Sequence, residues 1–451
     1  MVQMLYEEND VAAIADSIRL QTNSTETFTV SEMASAIRSM KIPVATDSTL
    51  GGIKVGAGLD IDSEGTLSVS DGILFGYDYN MNDSVPSTCI SYVEGNRYYT
   101  AAKMNFSAGT FSWGSWENAW FMPKPCMLKF DGTVESYLDP NDYSKTTDGE
   151  DAGNNTSNTT SNAMMEFPIM WVKRWESDGV YHFRVAPHQI DSEYQAWANM
   201  DVDGHIKPFY AAIYFGSADS AGALRSLSGG TNYVSHTTTQ ERTAAALNGT
   251  GWDIERIGQR WLITDLLVLL GKSTNSQATF GYGVASESAA HGQGLMDDKG
   301  LFYGTSSTGN VKIFGMEHYY GNIWRRVVGW LATNTKQMVK ITDSMADGST
   351  VTGYNTTGSG YVEYEIFTGT NGSYINSFKV IAGGLIPATS SGGSSTTYAC
   401  DGLWWPQTAY TGLAYVGGGW NSGALVGVFY SYLNGGAGAS SSGIGAALSF
   451  I

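Results

Sequence analysis

Apolar residues recur with a helical period in a few places along this chain and with a strand period in most others. Val11, Ile14, Ala15 and Ile18 follow the i, i+3, i+4, i+7 spacing behind Asp10, a good N-cap. Met33, Ile37 and Met40 form a second narrow stripe behind Ser31. Residues 1–41 therefore read as a helical attachment segment, too short and narrow-striped to stand alone. Pro43 closes it. Over residues 45–72 the period drops to two: Ile53 and Val55, Leu59 and Ile61, Leu67 and Val69 pair off between Gly-rich turns. These predict very short strands, and a unit that small cannot bury a core by itself. Intertwining with identical chains solves that problem, so a homotrimer is expected, with residues 42–75 as its trimerising β segment. From residue 76 onward, aromatic-rich stretches alternate with Gly/Ser/Asn loops. Two helices interrupt them. One spans 253–270, with Ile257, Trp261, Leu262, Leu266 and Leu269 on an apolar face and Gly271 as terminator. The other spans 237–247. The polar loop 146–162 is expected to be mobile. The fold class predicted is α+β: one large domain, 76–451, with elaborated loops.

Composition sharpens this picture. The chain has 451 residues, 55 of them Gly, with 13 Trp and 26 Tyr. Forty-three acidic against 25 basic residues give a net charge of −18. No Lys/Arg cluster is larger than the pair Arg325–Arg326, which argues against nucleic acid as a partner. Cys89, Cys126 and Cys400 fit no metal or redox spacing and read as free, buried thiols. The N-terminus, MVQMLYEENDV, lacks the apolar core of a signal peptide, so synthesis in a cytoplasm is expected. Asn155 and Asn158 then read as loop residues, not glycosylation sites.

The last fifty residues, 402–451, contain no Asp, Glu, Lys, Arg or His. The longest apolar run in them, Ala424 to Leu433, is shorter than the ~20 residues of a spanning helix, so no membrane insertion is expected. Large apolar residues form a sparse frame: Trp420, Phe429, Leu433, Ile444, Leu448 and Phe450. Between them lie Tyr, Ser, Gly, Ala and Asn, the residue types of adaptable recognition surfaces. Tyr415, Tyr430 and Tyr432 read as its anchors. The bland alternative is that these tyrosines belong to a half-buried sheet.

Catalytic and metal chemistry find little support. The six histidines form no HExxH, and no GxSxG or P-loop is present. Phe280-Gly-Tyr-Gly lacks a phosphate-binding context, and Glu317-His318 is an isolated pair. No enzyme is expected. Asn199, Asp201, Asp203 and Gly204 mimic half a calcium loop, but Tyr210 stands where its bidentate Glu belongs. Asp131, Asp139 and Asp142 have no diagnostic spacing. No metal and no cofactor are expected.

One element carries a resemblance. The Gly-Asn-Ile-Trp step within HYYGNIWRRVVGW, residues 318–330, resembles a core element of the C-type-lectin fold in its formylglycine-generating-enzyme-like branch. Segments such as SYVEGNRYYTAAKMNFSAGTFSWGSWENAWF, NAMMEFPIMWVKR and FYAAIYFGSADSAGALRSLSGG resemble tail proteins of bacteriophages and prophages with this fold. The N-terminal segments are similar to attachment and shaft pieces of such proteins. The chain end, CDGLWWPQ followed by GGGWNSGALVGVFYSYLNGGAGASSSGIGAAL, resembles variable regions diversified by retroelements, as in major-tropism-determinant-like proteins.

The resemblance implies a phage tail-tip receptor-binding protein in the virion. Its C-type-lectin-like head would display a variable region at about 414–446 to a host cell-surface receptor, protein or glycan. Its N-terminus would bind other tail proteins. Comparison with the family suggests Gly419, Ser422, Leu425, Tyr430, Tyr432, Gly435, Ala439 and Ser441 as changeable positions, with Tyr415, Asn421 and Asn434 completing the ligand-facing set. Asn322, Trp324, Trp420, Gly427, Phe429, Leu433, Ile444 and Gly445 would be fixed scaffold, Trp324 filling the core. Ala447 departs from the family, which often has Arg there. The sugar-binding calcium triplets Glu-Pro-Asn and Gln-Pro-Asp are absent, so the fold alone does not imply a sugar ligand. The alternatives are a structural tail or baseplate component and a sulfatase-maturation-like enzyme. The latter would need a cysteine pair that the scattered cysteines do not suggest.

Overall fold

The computed structural model describes residues 15–18, 29, 32–33, 59–61, 67–69, 74–201, 203–340 and 358–451. The chain divides into two compact units, Met1–Asp71 and Gly72–Ile451.

In the first unit, residues 15–18 are helical, with Ala15 and Ile18 buried as their spacing predicts. The second helical piece, residues 32–33, is capped at Thr29, and Ser31 lies outside the described residues. The Thr29 Oγ1 accepts from Glu32 N, the Glu32 carboxylate accepts from Thr29 N, and Met33 N donates to Thr29 O. Threonine followed three residues later by Glu is a capping box, which satisfies two orphan donors at once. Leu59–Ile61 and Leu67–Val69 pair antiparallel in the register Leu59↔Val69 and Ile61↔Leu67. Val11, Ile14, Ile37, Met40, Ile53 and Val55 lie outside the described residues.

The second unit is β-rich α+β. Strand Phe75–Asn80 belongs to it, and Phe75 packs edge-on against Trp116 and Phe121. Three larger sheets organise the unit. A seven-stranded sheet is centred on Ser161–Phe167, and a four-stranded one on Val180–Ala186 and Phe75–Asn80. The third carries the site. Its central strands are β1 (Trp324–Ala332), β2 (Gly412–Val416) and β3 (Ser431–Gly435). β2 pairs antiparallel with both of its neighbours, and β3 is flanked on its other side by Gly402–Trp404. The two-residue strand β4 (Ile444–Gly445) runs parallel to the start of β1. The chain end, β5 (Leu448–Phe450), inserts between Trp252–Ile254 and Phe209–Ala212 of the seven-stranded sheet.

Helix α1 (Thr238–Ala246) has the extent its sequence predicts, with Thr237 and Gln240 forming a second capping box. Helix α2 (Ile257–Gly271) begins at the first residue of its apolar stripe, four residues after the expected start at 253. Trp252–Ile254 is captured as a strand by β5, and the Asp253 carboxylate binds Arg242 at 2.6 and 2.9 Å. Gly271 remains helical, and Lys272 takes the left-handed position at φ 49°. Every residue of α2 is buried, so it is a core helix, its one carboxylate, Asp265, being met by Arg174, Tyr77 and Tyr181.

The polar segment 146–162 is pinned, contrary to expectation. Ala152 and Asn154 are buried, and Asn154 Nδ2 donates to the Tyr214 hydroxyl at 2.8 Å. No helix among the described residues is long and apolar enough to cross a membrane.

Candidate binding groove

β2, β3 and the loop 436–443 enclose a groove of about 420 Å³ in the charge-free chain end. Tyr415, Asn421, Tyr432, Asn434, Gly435, Ala439 and Ser441, all expected to face ligand, line it. Trp324, Trp420 and Ile444, expected as scaffold, line it too. Alternation along β3 places Tyr432 and Asn434 half-exposed on the groove side, with Ser431, Leu433 and Gly435 buried.

The strand wall is locked. Tyr415 was expected as an exposed anchor, but it is only 1% exposed. It sits on a strand paired on both sides, its ring stacks on Tyr432 at 5.7 Å, and its hydroxyl accepts from Arg326 Nη1 at 3.0 Å. Burial raises its pKa, against the opposing charge of Arg326. Gly435 is not a freely changeable position. A Cβ there would lie 2.3–2.5 Å from the Tyr415 ring end, and Arg326 and Tyr432 hold that ring in place. The missing side chain at 435 is what makes room for Tyr415.

Tyr430 is also sealed, at 3% exposure. It precedes the strand, packs 4.5 Å from Trp324, and its hydroxyl accepts from Trp404 Nε1 at 3.2 Å. Burial pushes its pKa up to about 12. Gly419, Ser422 and Leu425 do not line the groove. Gly419 is buried against Trp324, the Ser422 hydroxyl accepts from Gly419 N at 3.1 Å, and half-buried Leu425 packs on the core. Trp324 does not fill the core. It is half-buried and forms part of the groove wall, between Tyr430 and Tyr432.

The loop wall is held differently, by its backbone. Thr238 N, at the start of α1, donates to Ala437 O at 3.2 Å. Arg326 Nη2 donates to Ala439 O at 3.0 Å, and Ser235 N to Ser441 O at 3.0 Å. Gly438, Ser440, Ser441 and Ser442 are exposed. A Cβ at Gly436 or Gly438 would meet nothing within 4 Å.

The remaining frame residues are tightly packed. Phe429 and Leu433 are buried. Gly427 is fixed because a Cβ there would lie 2.1 Å from Asp401, whose carboxylate accepts from Phe429 N at 2.8 Å. Gly445 is equally constrained, by Tyr233 O at 2.4 Å. Asn322 is fully buried at φ 66°. It receives His291 N at 2.7 Å and donates to His291 O at 3.2 Å, and its own carbonyl receives Trp420 N at 2.9 Å. Asparagine tolerates this left-handed backbone and bonds locally.

Two residues behind the groove were missed. Arg326 is fully buried and bridges Glu241 on α1, Tyr415 on β2 and the loop carbonyl of Ala439. Burial pushes Glu241 up to about 7, with Arg326 opposing the shift. The adjacent pair Arg325–Arg326 was the available signal, because two cations in an apolar strand need buried partners. The Tyr410 hydroxyl bonds both the Asn434 carbonyl, at 2.8 Å, and the Asn434 side-chain oxygen. Nothing in local sequence pairs residues 24 positions apart.

Elsewhere the candidate chemistry resolves into structure. The Glu317 carboxylate is buried and accepts from Gly294 N at 2.8 Å and Met296 N at 2.7 Å. His318 is also buried, and desolvation pushes its pKa down to about 3, with His291 and Arg325 adding to the effect. Asp201, Asp203 and His205 cluster, but Asp201 accepts from Asp203 N and His205 N and pairs with Lys207 at 3.0 Å. That is a turn closing on itself. Asp131, Asp139 and Asp142 each accept a backbone N–H two residues on. The three cysteines are free and buried, and burial pushes Cys89 up to about 12. No family model matches the chain, and no curated protein matches it significantly.

Proposed function

We propose that this chain is a phage tail-tip receptor-binding protein whose C-terminal groove contacts a host cell-surface receptor. One observation carries the reading: the loop wall is fixed through main-chain carbonyls while Ser440, Ser441 and Ser442 on it are exposed. A loop anchored in that way tolerates exchange of its side chains without loss of fold, which a diversifiable surface requires. A C-type-lectin-like scaffold is part of the proposal, supported by the buried Asn322 and its bonds to His291 and Trp420. So are the N-terminal attachment segment and a homotrimer, in which several copies would raise avidity by ~10²–10⁴. On this reading the chain is a virion component, binds no nucleic acid and catalyses no reaction.

The test is adsorption. Purified chain added to host bacteria should block adsorption of the phage, and Asn421→Ala with Ser441→Ala should remove that block while particles assemble normally. A structural tail component is the rival, and the burial of Tyr415 and Tyr430 favours it. Particles that fail to assemble with the double variant would decide for that rival.

A further inference from the structure

The lining of the groove narrows the class of ligand. No Asp, Glu, Lys, Arg or His lines it, although the chain carries 43 acidic residues. A charged ligand would lose hydration there and meet no counter-charge. Half-buried Trp324, Trp420 and Tyr432 offer flat apolar rings, while Asn421, Asn434 and Ser441 offer neutral donors and acceptors. The Asn434 side-chain oxygen is held by Tyr410, which leaves the Nδ2 donors for a ligand.

An extended peptide has no means of docking by strand addition. That mode needs an unpaired sheet edge, and β3 is paired on both sides. The loop carbonyls at 437, 439 and 441 are already engaged. A ligand helix needs a long apolar trough, whereas this groove is short and rimmed by amides and hydroxyls. Its volume of about 420 Å³ lies within the ~300–1,000 Å³ of small-ligand sites. A pyranose ring has the matching chemistry, with an apolar C–H face and a periphery of neutral hydroxyls that both donate and accept.

We infer that the groove takes a neutral saccharide, stacked on Trp324 and Tyr432 with its hydroxyls on Asn421, Asn434 and Ser441. The inference rests on the receptor-binding reading for its setting, but the two fail separately. The first test is saturation-transfer NMR of the full chain with methyl glycosides of glucose, galactose, mannose and N-acetylglucosamine. Transfer to ring C–H protons is expected from at least one of them. Asn434→Ala should weaken it at least about tenfold. Asn421→Ala, at an exposed side chain that cannot unfold the protein, should weaken it measurably. Between about 0.05 and 0.5 M NaCl the affinity should change less than about twofold. Absence of transfer from all four glycosides, or tighter binding of choline or a uronic acid, overturns the inference.

The second test uses bacteria to which the chain adsorbs. Adsorption lost after periodate oxidation and kept after proteinase treatment supports a saccharide. The reverse pattern overturns the saccharide and leaves the receptor reading standing. A chain that binds glycosides but adsorbs to no bacterium keeps the saccharide and removes the receptor reading.

Discussion

The two walls of the groove are built from the same uncharged residue types and are held in opposite ways. The strand wall is fixed through side chains: Tyr415 needs the empty space at Gly435, the ring of Tyr432 and the guanidinium of Arg326. The loop wall is fixed through carbonyls at 437, 439 and 441. Gly435 on one wall is therefore a packing requirement, and Gly436 and Gly438 on the other are open surface. Composition does not distinguish them; only what occupies the space beside each Cα does.

Acidification should load β1, on which both walls depend, through His318, while Glu241, held up to about 7 by burial, acts in the opposite sense between about pH 7 and 4.5. The His318 carbonyl receives Arg325 Nη2 at 3.2 Å, next to Arg326 in β1. The His318 ring is held neutral by burial, with a pKa near 3 against an ordinary value of 6.5. As pH falls below 6.5 the unfolded chain takes up a proton that the folded chain refuses, so stability present above that pH is lost on the way down to about pH 3. The loss amounts to up to about 5 kcal/mol. The difference between the wild type and His318→Asn, which suits φ 49°, should show it in denaturant titrations across this range.

Arg326→Met should cost about 3–5 kcal/mol, because it leaves Glu241 buried without its partner. Urea unfolding would measure this, and the same variant should loosen both walls, since Arg326 reaches each of them. A loss under about 1 kcal/mol would show that the shared bridge is not needed.

Substituting the glycines tests the comparison directly. Gly435→Ala should destabilise by roughly 1–3 kcal/mol through overpacking against Tyr415. Gly436→Ala and Gly438→Ala should each change stability by about 0.5 kcal/mol or less. Thermal unfolding of the three variants side by side checks the difference, and equal effects would erase the distinction between the walls. Ser442→Tyr, at an exposed residue of the groove lining, should change stability by a similarly small amount, within about 0.5 kcal/mol, and on the receptor-binding proposal should alter which bacteria the chain adsorbs to.

Part of this was legible in the residues. Thr237 with Gln240, then α1, follow from local spacing, and so does most of α2. The frame residues Phe429 and Leu433 are where their size and spacing place them. The start of α2 was misread because Trp252–Ile254 pairs with the chain end, almost two hundred residues away in sequence. Trp324 was assigned to the core by its motif, but it lies half-buried in the groove wall against Tyr430 and Tyr432. The polar segment 146–162 looked unanchored because its partner, Tyr214, is distant in sequence.

The sequence by itself determined where the charges are absent, which large residues recur, and that a small-residue loop closes the chain. Those are local properties, set by composition and periodicity. Only the tertiary structure decided which tyrosine faces the groove. Tyr415 lies on a strand with neighbours on both sides and Tyr430 lies beneath Trp324, while Tyr432 stays half open, because exposure depends on what packs over a ring and not on the residues next to it in the chain.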